Sequence, residues 1–148
     1  MKLYSKIYGN KEESLIIIHG LFGMSDNWHS LARKFQKHYT VHLIDLRNHG
    51  RSPHSEIFNY EVMCMDLLEY IQEHNLKKPI VLGHSLGGKV AMGFAFSYPH
   101  SLSKLIIADI APRCYSTEFH KRILDSIVQV PLKKFSSRDE VDRALSVY

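Results

Sequence analysis

Apolar residues along the chain gather into short blocks separated by polar and glycine-containing stretches. Four blocks stand out: "SLIIIHG" (14–20), "TVHLIDLRNHG" (40–50), "PIVLGHS" (79–85) and "KLIIADIAP" (104–112). Their centres are Ile, Val and Leu with little alternation. That is the pattern of strands covered on both faces, as in a parallel sheet. Helical periodicity lies between them. "NYEVMCMDLLEYIQEH" places Met63, Leu67, Tyr70 and Ile71 on one face and offers Asn59 as its N-cap. Val90 to Tyr98 predicts a second helix, closed by Pro99. Strand and helix in alternation predict an α/β fold with a mostly parallel, doubly wound sheet over residues 1–112. A further strand near "KLYSKIYG" is expected at the sheet edge.

After Pro112 the pattern changes. Residues 117–130 read as an amphipathic helix with Phe119, Ile123 and Ile127 at four-residue steps. Beyond Pro131, Ser137 and Glu140 form a capping box for another helix. That helix runs into Tyr148 with no stop signal, so the pattern reads as a chain cut short. Residues 113–148 are therefore expected to form a separate, helical part.

Composition narrows the function classes. The chain has 148 residues, enough for one core, with 45% hydrophobic and 23% charged residues. Its net charge is +4, but the basic residues are scattered in pairs such as Lys77 and Lys78 rather than forming a stripe. That argues against a nucleic-acid surface. The run "LIII" is too short to span a membrane. Two distant cysteines, Cys64 and Cys114, suit free thiols in a reducing compartment, so a cytoplasmic location is expected. Ten histidines are present, but without an HExxH or CxxC pattern, and no metal site is predicted.

The candidate chemistry lies in "GHSLGGK" (83–89). Gly83, Gly88 and Lys89 also spell GxxxxGK, the start of a phosphate-binding loop. That motif needs Ser or Thr next to hold Mg²⁺, and Val90 has no oxygen to give. The alternative is a nucleophile elbow, in which Ser85 occupies the sharpest point of a strand-to-helix turn. Gly83 and Gly87 are then small so that strand and helix can approach. A nucleophilic serine needs two N–H donors for the oxyanion that acyl transfer creates. Leu86, the residue after Ser85 at a helix start, supplies one. Leu21, just after "HG" at the end of an earlier strand, supplies the other.

Together "HGLFGMSDNW", "DLRNHGRSP", "GHSLGGKVAM" and "IADIAP" resemble the α/β-hydrolase superfamily, and more narrowly the YbfF-type esterases and their mitochondrial abhydrolase relatives. The resemblance implies hydrolysis of carboxylic esters or acyl thioesters through an acyl-enzyme on Ser85. It implies no cofactor, a small-molecule acyl substrate, and a small helical cap beginning after residue 112. It also implies that the triad acid follows the strand after Ser85, which makes Asp109 the acid. A turn-capping role for Asp109 is the competing reading. Phe22, Met24 and Trp28 are candidate walls of an acyl pocket, with Trp28 alternatively packing on the helix that follows it. The resemblance places the catalytic histidine after a later strand, beyond Tyr148. His19 and His84 are expected to orient loops, and the 148-residue chain alone is expected to be inactive. A degenerate hydrolase acting as a non-catalytic scaffold is the alternative function.

Overall fold

The computed structural model describes residues 1–115, 118–131 and 134–145, and leaves the side chains of Phe119, His120, Ile123 and Gln129 undescribed. It divides into two compact units, Met1–Pro112 and Arg113–Tyr148. The first unit contains β1 (Ser5–Tyr8), β2 (Ser14–Ile18), α1 (His29–Phe35), β3 (Thr40–Ile44), α2 (Tyr60–Glu73), β4 (Ile80–His84), α3 (Leu86–Ser97) and β5 (Lys104–Ala108). The strands form one sheet in the order β1-β3-β2-β4-β5. β1 runs antiparallel to β3 at one edge, and the other pairs are parallel. Parallel strands need crossovers, and the helices supply them on both faces of the sheet.

Residue alternation along the strands sorts the core into two layers. On one face Ile16, Ile18, Ile44 and Val81 pack with Met63, Leu67 and Ile71 of α2 and with Val90, Ala91 and Phe94 of α3. On the other, Leu15, Ile17, Val41, Leu43, Ile80 and Leu82 pack with Ala32, Trp28 and Phe35 at α1. The four residues expected on the apolar face of α2 are buried, and the Asn59 side chain accepts from the Val62 N–H at 2.9 Å as its cap.

Three elements differ from the sequence reading. α3 begins at Leu86 rather than Val90, because Gly87 and Gly88 are needed there for close approach, and their low helix propensity is overridden. α1, the helix expected after Trp28, is preceded by a 3-10 turn at Ser25–Trp28 and has only seven residues, too few for the sequence to give its bounds. β5 is not covered on both faces: it stands at the sheet edge, with Leu105 and Ile106 exposed.

The second unit holds α4 (Glu118–Gln129) and α5 (Arg138–Leu145). The Phe119 and Ile123 positions of the expected apolar stripe lie outside the described side chains, and the run into Tyr148 lies outside the described residues. At α5 the Glu140 N–H donates to Ser137 Oγ at 3.3 Å, while the Glu140 carboxylate accepts from the Ser136 N–H at 2.8 Å. The cap thus spreads over two serines.

Candidate active site

Ser85 sits between β4 and α3 with φ 50° and ψ −113°. Positive φ in a residue with a side chain costs on the order of 1–3 kcal/mol. Three backbone hydrogen bonds hold the turn in place: Ser85 N–H to Ala108 O at 3.1 Å, Gly87 N–H to His19 O at 3.1 Å, and Lys89 N–H to Ser85 O at 3.1 Å. The glycines are set by space. A Cβ on Gly83 would lie 2.2 Å from Gly87 O, and one on Gly87 would lie 2.5 Å from both Ile18 O and His19 O. Strand and helix therefore touch through backbone alone, and β2 is pressed against the first turn of α3.

The loop after β2 comes to the same place. A Cβ on Gly20 would meet His84 Nδ1 at 2.9 Å and Ser85 Cβ at 3.3 Å. Gly23 N–H donates to Gly20 O at 3.0 Å, closing a β-turn whose third residue, Phe22, has φ 61°. Glycine is usual at that position of a turn with positive φ. Leu21 N–H, within this turn, and Leu86 N–H, at the start of α3, have no hydrogen-bond acceptor among the described residues. Ser85 thus has two unpaired backbone donors nearby, one in the turn after β2 and one at the start of α3.

His19 fixes the loop. Its Nδ1–H donates to Gly20 O at 2.7 Å and its Nε2 accepts from the Leu46 N–H at 3.1 Å, with the tautomer assigned from these partners. Burial pushes its pKa below the usual histidine value, against the opposing hydrogen bond to Gly20. Both ring nitrogens are occupied, which pins the ring between the loops after β2 and β3. Asp45, fully buried, accepts from Ser25 N–H at 2.5 Å and Arg51 N–H at 2.9 Å, tying the loops after β2 and β3 together. Gly50 takes φ 54° over it, where a Cβ would strike the Asp45 carboxylate at 2.2 Å.

Asp109 follows β5, one step past the His84–Ala108 register pair, with φ 56° and an exposed side chain. Its Oδ2 is 3.7 Å from His84 Nε2, and His84 also faces Trp28 with ring centroids 5.8 Å apart. Adjacent parallel strands therefore deliver Ser85 and Asp109 to the same end of the sheet. No histidine among the described side chains is hydrogen-bonded to Ser85.

The three candidate pocket residues do not share one recess. Trp28 lines a cavity of about 470 Å³ with Gly20, Leu21, Asn27, Lys34 and His84. Phe22 and Met24 line another of about 420 Å³ with Leu21, Asn48, His49 and Phe58. The ridge between them is the turn at residues 20–23. Phe58 and His49 were missed from sequence. A usable signal existed, since Phe58 is the apolar residue just before the Asn59 cap and would staple to Met63. In the structure it is 41% exposed and faces the His49 ring at 6.0 Å instead. Trp28 also packs against the sheet face behind α1, beside Ala32 and Phe35.

Among the described residues no group of His, Cys, Asp and Glu could hold a metal ion, and no helix is long and apolar enough to cross a membrane.

Comparison with known proteins agrees with this architecture. A family model described as the alpha/beta hydrolase fold matches residues 13–142. The solved structure of a marine microorganism esterase superposes with a TM-score of 0.90 at 42% identity, covering 99% of this chain and 58% of that one. The sn-1-specific diacylglycerol lipase ABHD11 of Danio rerio is 40% identical over 123 residues, which is 79% of this chain and 39% of the lipase. Esterase YbfF of Escherichia coli is 33% identical over 126 residues, 85% of this chain and 50% of the esterase. The chain spans half or less of the length of these two curated relatives. With the family model matching from β2 into α5, on a sheet that brings Ser85 and Asp109 to one end, the chain belongs to the α/β-hydrolase fold family and is of the YbfF and abhydrolase type.

Proposed function

We propose that this chain carries the nucleophile half of a serine hydrolase acting on carboxylic esters or acyl thioesters. The observation that supports it best is Ser85, held at φ 50° between β4 and α3 beside two unpaired backbone N–H groups. A serine in this turn presents its oxygen at a strand end while the helix dipole and both amides face incoming negative charge.

In this reading Ser85 Oγ attacks the acyl carbonyl and its proton passes to a general base. Leu21 and Leu86 N–H groups hold the oxyanion until the alcohol or thiol departs with that proton. Water then reverses the sequence and frees the acid. Asp109 orients the base histidine, which we place in the part of the protein outside this chain. Residues 113–148 are, in this reading, the start of a helical cap. No cofactor enters these steps. In a serine protease, loss of the triad histidine alone costs on the order of 10⁶ in turnover. Residues 1–148 alone should accordingly be nearly inactive.

The test is hydrolysis of a short-chain aryl ester by the protein expressed from its whole reading frame, beside its Ser85→Ala variant. Turnover that disappears in Ser85→Ala supports the hydrolase. A well-folded protein without turnover on aryl esters and thioesters would favour a non-catalytic scaffold. Turnover retained by Ser85→Ala would remove this serine from the mechanism.

A further inference from the structure

We propose that the cavity behind Phe22 receives the acyl chain of the substrate, and that Phe58 is the side chain that sets its preference for longer chains. The proposal rests on the serine-hydrolase reading above and adds the direction in which the substrate lies.

The turn at residues 20–23 divides the site. Leu21, whose N–H is the proposed oxyanion donor, lines both cavities. In this proposal a carbonyl oxygen held at that ridge sends its acyl chain into one cavity and its leaving group into the other. The side holding Trp28 also presents Asn27, Ser30, Lys34 and His84, polar groups suited to an oxygen-bearing leaving group. The other side presents Leu21, Phe22, Met24 and Phe58, with only Asn48 and His49 to supply side-chain polarity. Little side-chain polarity is left there for a ligand: of these two residues, only the His49 Nε2 has no hydrogen-bond partner among the described residues. His49 Nδ1–H donates to Arg47 O at 2.9 Å. Asn48 accepts from the Ser55 N–H at 2.7 Å and donates to Ser55 O at 2.9 Å. A hydrocarbon chain is the occupant this wall suits.

The wall is also built to stay in place. Phe22 is 62% exposed, and its positive φ keeps an aromatic ring facing out where glycine would be usual. Phe58 is held through its neighbour: Arg47 donates from Nη1 to Ile57 O at 2.8 Å while its Nε and Nη2 grip Asp66 at 2.6 and 2.8 Å. Asp66 is buried, so this paired fork is anchored in the core. A loop tied at Asn48 and at Ile57 holds Phe58 against His49 and leaves its ring open to the cavity.

The experiment compares p-nitrophenyl acetate and p-nitrophenyl decanoate as substrates of the protein expressed from its whole reading frame. The enzymes are wild type, Phe58→Ala and Trp28→Ala. Phe58→Ala should lower kcat/KM for the decanoate ester by about tenfold through KM, the scale of a lost apolar pocket contact. Acetate turnover should stay within about twofold. Trp28→Ala should leave the ratio of decanoate to acetate unchanged. Binding of decanoate by titration calorimetry supplies a readout independent of turnover, and Phe58→Ala should weaken it by a similar factor. Equal losses on both esters, or a chain-length preference that moves with Trp28 instead, would overturn the proposal even if Ser85→Ala is dead. If Ser85→Ala stays active, the calorimetry still decides: decanoate affinity unchanged in Phe58→Ala refutes the acyl cavity.

Discussion

Gly87→Ala probes the contact on which the site geometry depends. The added Cβ would stand 2.5 Å from Ile18 O and His19 O and 2.8 Å from Ile18 C, all backbone atoms at the end of the central strand β2. Ordinary van der Waals contact begins at 3.4 Å, so the helix start must retreat by about 0.9 Å (3.4 − 2.5). Neither partner can yield by turning a side chain. Overpacking of this kind costs about 1–3 kcal/mol. The Gly87 N–H bond to His19 O, now 3.1 Å, is stretched by the same movement. With a urea slope of about 2 kcal/mol/M, the midpoint should fall by about 1 M. The retreat also moves Ser85 and Leu86 away from Leu21. A misplacement near 1 Å can cost about 10²-fold in rate, so inactivation by an aryl phosphonate should slow by that order. Gly93→Ala is the control. Its Cβ meets only Cys64 Sγ at 3.1 Å, a side-chain atom rather than backbone, and alanine gains about 1 kcal/mol of helix propensity in mid-helix, so its midpoint should fall far less than that of Gly87→Ala. Urea midpoints that coincide for wild type and Gly87→Ala, with equal phosphonate rates, would show that this backbone contact does not set the site.

Two further outcomes follow from the same structure. His42 is buried between β1 and β2, with Nδ1 hydrogen-bonded to the Tyr70 hydroxyl at 2.8 Å and Nε2 unpartnered, and burial lowers its pKa to about 4. The unfolded chain takes up that proton near pH 6.5 and the fold refuses it until about pH 4, so stability is complete above pH 6.5 and lost as pH falls through this window. His19 shifts in the same direction. Urea unfolding should lose up to about 2 kcal/mol between pH 7 and pH 5, and His42→Asn should remove most of that slope; an unchanged slope would refute the assignment. Asp109→Asn, in the protein from its whole reading frame, should lower kcat by about 10³–10⁴-fold, the scale seen when a triad acid is made an amide, while phosphonate labelling still finds Ser85. Near-wild-type turnover would place the acid elsewhere.

The parallel sheet could be read from the chain because each strand is an unbroken Ile, Val and Leu block, and packing on both faces demands that pattern. β5 shows the limit of the rule. "KLII" reads like the other blocks, but burial depends on what lies beside a strand, and β5 has only β4 as its pairing partner among the described residues. The turn around Ser85 was legible because backbone-to-backbone contact leaves glycine as the only residue that fits at positions 83 and 87. The two-sided division of the pocket was not legible. Phe22, Met24 and Trp28 are close neighbours in sequence, and only the turn at residues 20–23 sends the first two to one side and Trp28 to the other. Phe58 arrives from a loop positioned by Arg47 and Asp66, a pair formed between β3's end and α2 that no local pattern announces.

The central claim is that Ser85 is the nucleophile. Its most direct test is covalent: incubate the protein from its whole reading frame with an activated alkyl phosphonate, measure the intact mass, and map the adduct by peptide fragmentation. A single adduct per chain on Ser85, absent from Ser85→Ala and slowed in Gly87→Ala, is the expected result. Ester turnover accompanied by a stable adduct on another residue, or by none, would contradict the account.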